Sequence, residues 1–376
     1  MKIILPRDII FSPYVYKEIP RILKEHGKKV FLVTGEHAFS KNFWGKDILN
    51  LLRKNKIKFF HYDKVKPEPH CALVEYGIES AKENRCEVIL GIGGGSVIDV
   101  SKAIAGLFNE EFNSVSEYLY GRKIAAQGLP FIAVSTTSGS GSEVTKNSVL
   151  KDSVRAIKTS IRDLKLLPQT ALIDPVLTLT LPKKNTLHTA LDALTHAVES
   201  YVSLESSSLT EALSFKSIEL IYNNLPHVLS KLKNLKLREY LSYASLMAGI
   251  SFSNAGLGLA HALSHPIGVL FGLPHGLVNA VLLPHVAEFN YEVCSSKFDS
   301  VTKTLMPKKG RMKFYNLLRD FNSKLKVPLK FSQLGLFLDK TAEDKIVDKV
   351  KYSGTLKYNP RRVSEEEIRV ILKKAW

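Results

Sequence analysis

Through about residue 175 the chain alternates short β-branched runs with stretches of helical periodicity. Residues 29–34, 58–62, 87–92 and 131–134 are apolar and β-branched over strand length, which predicts four strands. Between them, segments such as 45–55 and 72–85 repeat their apolar positions at helical spacing. Strands separated by crossover helices predict a mainly parallel sheet covered on both faces. Asp174-Pro175 and Leu181-Pro182 then mark a change of texture. Beyond them helical patterns take over at 185–203, 209–230, 236–251, 275–292 and the tail. The expected architecture is an α/β domain over 1–178 followed by an all-helical domain over 179–376. A cleft between two such halves is a favoured place for a ligand.

Composition narrows the class. Of 376 residues, 45% are apolar and 24% charged, which is the balance of a folded soluble protein and excludes disorder. Cys71, Cys86 and Cys294 are odd in number and far apart, which argues against a disulfide framework and for a reducing compartment. The apolar run before Pro6 is too short for a signal segment, and no run reaches membrane-spanning length. The expected location is the cytoplasm. The net charge of +17 raises nucleic-acid binding as a reading. Its densest stretch, 301–330, includes RMKFYNLLRDFNSKLK, where Phe314, Leu317, Leu318 and Phe321 fall on one helical face. A basic helix covering a core explains that segment, and no nucleic-acid motif accompanies the charge.

Residues 88–102 run from an apolar strand into Gly93, Gly94 and Gly95, and a helix is expected to open at Ser96. Glycine lets backbone approach closely, and a helix N-terminus offers N–H groups to a phosphate. The spacing is neither a Walker loop nor GxGxxG. A tight strand-to-helix turn explains one glycine; three point to a pyrophosphate. A second loop, VSTTSGSGSEVT at 134–145, follows the next strand and suits a phosphate, ribose or carboxamide, or is an ordinary loop.

Asp192 and His196 stand four apart on a helical pattern, as do His261 and His265, and His275 follows Leu273-Pro274 at a turn. Any one of these reads as a core histidine on an Ala/Leu-rich helix. Together, histidines and a carboxylate at helical spacing make a mixed O/N site for Fe²⁺ or Zn²⁺. On the residues alone both readings stay open.

The segments GGGSVIDVSK, TTSGSGSEVT, DALTHAVESYVS, GLAHALSHPIG and PHGLVNAVLLPHVAEFN, in this order, resemble the iron-containing (group III) alcohol dehydrogenases over nearly the whole chain. The resemblance implies a dehydroquinate synthase-like architecture, an N-terminal dinucleotide-binding domain and a helical metal-binding domain. It implies Asp192, His196, His261 and His275 as ligands of Fe²⁺, with Zn²⁺ as the other candidate, and His265 as a catalytic proton relay. Cofactor contacts are expected from Gly94, Gly95, Ser96, Asp99, Thr136, Thr137 and Thr145, and from Lys158 near the ribose. The implied reaction moves a hydride between a nicotinamide cofactor and a small primary alcohol or its aldehyde. Phe252, Leu257 and Asn147 are expected to line the substrate pocket; Phe252 and Leu257 read equally as core. A homodimer is implied too.

Two departures stand out. The family commonly reads Thr-Gly-x-Asp where this chain has Thr189-Ala190-Leu191-Asp192, and His188 precedes the carboxylate by one turn, either as its partner or as a half-exposed residue. Family members that prefer NAD often carry Asp after the first-strand Thr; here Gly35 follows Thr34. With Ser40, Lys41 and a basic surface nearby and Glu36 facing solvent, NADP is favoured over NAD. The rival readings are a glycerol or polyol dehydrogenase, a dehydroquinate-synthase-like lyase and a nucleic-acid-binding protein.

Overall fold

The computed structural model describes residues 2–155, 157–307 and 312–376. The chain forms two compact units: 4–181 with 233–242, and 1–3 with 182–232 and 243–376.

In the first unit six strands form one sheet: β1 (Asp8–Phe11), β2 (Lys29–Gly35), β3 (Lys58–Val65), β4 (Val88–Gly93), β5 (Phe131–Ser135) and β8 (Thr170–Ile173). They pair in the order β1-β8-β5-β4-β2-β3, every pair parallel. Side chains along β2 and β4 alternate between two apolar clusters: Phe31, Val33 and Ile89 join one, and Val30, Leu32, Val88 and Leu90 the other. That two-residue period puts a core on each face of the sheet. Numbering the longer helices, α1 (Phe43–Lys54) packs into the second cluster through Trp44, Ile48 and Leu52. The first cluster takes α2 (Cys71–Glu83) and α3 (Gly95–Leu107).

Strand order reverses beside β2, because the chain leaves it outward to β3 and then returns to β4 on its other side. Thr34 pairs with Ile92 and Gly93 with Ser135, so the carboxyl ends of β2, β4 and β5 are level. Open parallel sheets bind ligands at such a switch point. β6 (Asn147–Asp152) and β7 (Ile157–Arg162) form a separate antiparallel hairpin that the sequence pattern did not announce. β1 and β8 also escaped it, being only four residues each.

The second unit is helical throughout its described residues: α4 (Lys183–Val202), α5 (Ser208–Ser230), the later part of α6 (Leu235–Ala255), α7 (Leu259–Phe271), α8 (His275–Leu305), α9 (Phe314–Lys324), α10 (Lys340–Lys351) and α11 (Glu365–Ala375). α7 holds Pro266 in its interior and ends at Gly272, whose φ of +64° suits a glycine; α8 starts after Pro274. Leu263, Ile267, Val278 and Leu282 from this pair pack with Ile346 and Ile371. On α9, Phe314, Leu317, Leu318 and Phe321 are buried, as a basic helix over a core requires; Arg311, which opens the basic segment, lies outside the described residues. No single helix among the described residues is long and apolar enough to cross a membrane.

Asp174, just past β8, ties the N-terminal segment to the sheet. Its carboxylate accepts the backbone N–H groups of Tyr14 and Tyr16 at 3.0 Å each and of Val176 at 2.9 Å. Asp174→Ala leaves these donors unpaired and is expected to cost about 2–4 kcal/mol, read by urea denaturation; an unchanged midpoint would show that water satisfies them.

Candidate functional site

α4 presents Asp192, His196 and Glu199 at i, i+4 and i+7, which is one helical face. α7 contributes His261 and His265; α8 opens on His275 and carries Asn279 one turn later. These elements converge on a single point. Asp192 Oδ1 lies 3.7 Å from His261 Nε2 and 3.7 Å from His275 Nε2. One ligand atom from each of the three residues lies within 4.8 Å of the others.

The side-chain amide of Asn279 sits among them. Its Nδ2 is 2.8 Å from Asp192 Oδ1 and 3.2 Å from Nε2 of both His261 and His275. An amide nitrogen has two hydrogens for these three lone pairs. Its Oδ1 is buried without a hydrogen-bond partner. A carboxylate and neutral imidazoles that converge on too few donors are a donor set suited to a divalent ion such as Fe²⁺ or Zn²⁺. Burial pushes the Asp192 pKa up, but attraction to the imidazoles of His196 and His275 in their protonated form, and then to His261, outweighs it and holds the carboxyl well below the usual range.

His196 is not one of the three converging residues. It is buried, with its ring stacked on His261 at 4.6 Å and on Phe252 at 4.3 Å. His265 is half-buried, its ring 5.2 Å from that of His275 and 6.4 Å from that of His261. Leu257 and His188 are half-buried, and burial holds the His188 pKa below its ordinary value.

Sequence reasoning missed Glu199 and Asn279. The Glu199 carboxylate is buried, one oxygen 2.5 Å from His261 Nδ1 and the other accepting the Ala260 N–H at 2.6 Å. Engaging Nδ1 leaves Nε2 to face Asp192. Burial alone would lower the His261 pKa; Glu199 and then Asp192 push it up to about 9. Helical spacing from known candidates, i+7 from Asp192 and i+4 from His275, was the available signal.

The first unit holds the expected cofactor residues. Gly94 caps α3, which opens at Gly95, one residue before the expected start. A Cβ on Gly95 would lie 2.9 Å from Ser140 Cβ, and one on Gly94 would lie 3.2 Å from Thr137 Cγ2. The glycines therefore leave room for the serine-rich loop as well as for a ligand at the helix N-terminus, where N–H groups favour an anion. Thr136 N–H bonds the Gly93 carbonyl at 2.9 Å, and Ser96 and Thr137 are half-buried. Asp99 is turned inward, accepting from Ser142 Oγ at 2.5 Å and from Val149 N at 3.2 Å. Thr145 Oγ1 and the Asn147 carbonyl both accept from Lys102. Lys158 pairs with Glu68 at 2.9 Å. At the end of β2, a Cβ on Gly35 would make ordinary contacts with Val65 O at 3.6 Å and Val97 Cγ2 at 3.7 Å. Glu36 is paired at 3.4 Å with Lys66 and at 3.5 Å with His37.

Comparison with known proteins accounts for nearly the whole chain. Residues 6–175 match the iron-containing alcohol dehydrogenase family, and residues 186–376 match the C-terminal part of the Fe-containing alcohol dehydrogenase family. A 1,3-propanediol dehydrogenase of Citrobacter freundii is 34% identical over 93% of this chain and 92% of its own. An NADPH-dependent butanol dehydrogenase of Clostridium saccharobutylicum is 30% identical over 99% and 97%. An NAD-dependent methanol dehydrogenase of Bacillus methanolicus is 29% identical over 99% and 98%. The crystal structure of a 1,3-propanediol oxidoreductase superposes with a TM-score of 0.94 at 31% identity, covering 100% of this chain and 99% of that one. The chain belongs to the iron-containing alcohol dehydrogenase family.

Two substitutions probe the site. Glu199→Leu frees the His261 ring and is expected to weaken Fe²⁺ binding about 10–100-fold, measured by competition with a chelator. Gly94→Val crowds Thr137 and is expected to abolish nicotinamide-cofactor binding while metal content stays at the wild-type level; unchanged cofactor binding would make the loop a structural turn.

Proposed function

We propose that this enzyme is an NAD(P)-dependent, metal-dependent alcohol dehydrogenase acting on a small primary alcohol or its aldehyde. The observation that carries the reading is the convergence of Asp192, His261 and His275 on one point held by the Asn279 amide. Asp192, His196, His261 and His275 are the proposed holders of Fe²⁺, with Zn²⁺ the second ion these donors suit. Once bound, such an ion supplies Lewis acidity, lowering the pKa of an alcohol and polarising an aldehyde carbonyl. The nicotinamide cofactor, once bound, would supply the hydride acceptor or donor, and His265 would take up or return the hydroxyl proton of the alcohol. Phe252 and Leu257 are the proposed apolar substrate contacts of the helical unit and Asn147 the proposed polar contact of the α/β unit. Gly94, Gly95 and Ser96 hold the pyrophosphate, with Asp99, Thr136, Thr137, Thr145 and Lys158 around the rest of the cofactor. This divides the labour at 178/179, with the cofactor before it and the metal after.

The proposed cofactor is NADP. Gly35 carries no carboxylate to repel a 2′-phosphate, and Glu36 is paired with the Lys66 ammonium at 3.4 Å. The NADPH-dependent relative supports this reading, while the NAD-dependent one is the reason to test it. The family likeness supports a homodimer, and three buried free thiols support a reducing cytoplasm. A small diol is the second substrate reading, carried by the 1,3-propanediol dehydrogenase relative.

A panel of short alcohols, diols and aldehydes run with both cofactors tests the substrate class; strong preference for a large charged substrate would defeat it. His261→Ala should lower metal content and turnover together, and full retention of either would break the ligand assignment. For the cofactor, the wild type should show a higher kcat/KM with NADP. Gly35→Asp, which the space beside Val65 and Val97 admits, should move preference towards NAD. A wild type favouring NAD by about tenfold would overturn the proposal.

A further inference from the structure

Lys102 lies on α3, three residues past Asp99, with no exposed surface. Removing an ammonium from water is costly unless every proton is bonded and a counter-charge is near. Both conditions are met from one direction. Nζ donates to Ser142 Oγ at 3.0 Å, Thr145 Oγ1 at 2.7 Å and the Asn147 carbonyl at 2.8 Å. An ammonium has three hydrogens, and all three go to residues 142–147, the end of the serine-rich loop and the start of β6. Asp99 Oδ1 lies 3.9 Å from Nζ and accepts from Ser142 Oγ, while Ser148 Oγ donates to the Asp99 carbonyl at 2.7 Å. Glu143, also buried, has its carboxyl pKa pushed up by burial against the pull of Lys102.

The other end of the loop is seated on the start of α3, where the bare Gly94 and Gly95 leave room for Thr137 and Ser140. The loop thus touches the glycine helix at two places, one held by shape and one by a buried charge.

We propose that Lys102 is a positioning residue for the dinucleotide: it fixes the 136–147 loop against α3 in the conformation that binds the cofactor, without touching the cofactor. This rests on the reading of the two loops as a nicotinamide-cofactor site. A lysine that merely fills the core would, when replaced by methionine, alter stability and leave cofactor affinity alone.

Lys102→Met is therefore measured in the metal-loaded enzyme in three ways: NADH and NADPH dissociation constants from nicotinamide fluorescence, alcohol KM at saturating cofactor, and amide hydrogen exchange. The expected result is a loss of about tenfold or more in affinity for both cofactors. Faster exchange should be confined to the loop, with protection kept in β4, and alcohol KM should rise less than the cofactor dissociation constants, because Asn147 at the loop's end is the one loop residue also assigned to the substrate. A folded Lys102→Met with wild-type cofactor affinity overturns the proposal, as does exchange that rises evenly across the unit. If Lys102→Met does not fold, Ser142→Ala, which removes one acceptor and the bridge to Asp99, carries the test. It should weaken both cofactors about threefold, and wild-type affinity there is equally decisive. A wild type that binds neither NADH nor NADPH sinks the functional reading instead, and the exchange pattern of Lys102→Met still reports whether Lys102 holds the loop.

Discussion

Charge taken out of water has to be answered locally, and that demand organises both units of this protein. In the helical unit the demand is set by Asp192. Two helices, α7 and α8, bring the imidazoles of His261 and His275 to its carboxylate, and a fourth polar group, the Asn279 amide, is drawn to the same point. Glu199 then answers His261 from behind, and its second oxygen binds the N–H of Ala260 near the start of α7. One carboxylate thus fixes a ring and a helix end together, so the orientation of His261 follows from how α7 begins. The α/β unit repeats the logic with the signs exchanged: there the buried cation, Lys102, is answered by Asp99, Glu143 and a loop of hydroxyls.

The sheet decides where such groups are useful. Register brings the ends of β2, β4 and β5 level, and the reversal of strand order beside β2 opens a space between connections that run in opposite directions. A glycine then stands at the ends of β2 and β4, Gly35 as the last residue of β2 and Gly94 just after β4. Their lack of side chains has different consequences. At Gly94 a Cβ would press on Thr137, so bareness is a packing requirement. At Gly35 a side chain fits, so packing does not require a glycine there.

Long-period features were legible in the sequence, and short or compensated ones were not. Four parallel strands and most of the long helices showed as runs of β-branched residues or as amphipathic spacing, because each buries a whole face. β1 and β8 are four residues each and are stabilised by their neighbours in the sheet rather than by their own pattern. The β6–β7 hairpin is half-polar and reads as loop. α7 was seen only through its histidines, since Pro266 interrupts the signal that a helix of that length would otherwise give. The site followed the same rule. Histidines near a carboxylate are conspicuous by type, whereas Glu199, Asn279 and Lys102 look like ordinary surface residues until burial shows that each has a partner. Their helical spacing from the candidates was present in the sequence, but spacing alone does not distinguish a buried face from a wet one.

The positive surplus of the chain can now be given a narrower meaning. At physiological salt a surface charge is felt over about 8 Å, so a net charge of +17 spread over the whole molecule acts on an approaching anion mainly through the residues it finally meets. At the end of β2 the residues are a glycine, an acid paired with Lys66, and a histidine. In the proposed cofactor reading, a 2′-phosphate reaching the end of β2 would meet an acid paired with Lys66 and no side chain on Gly35. On that reading, the local balance among Gly35, Glu36 and Lys66, more than the overall composition, would set the choice between NADP and NAD.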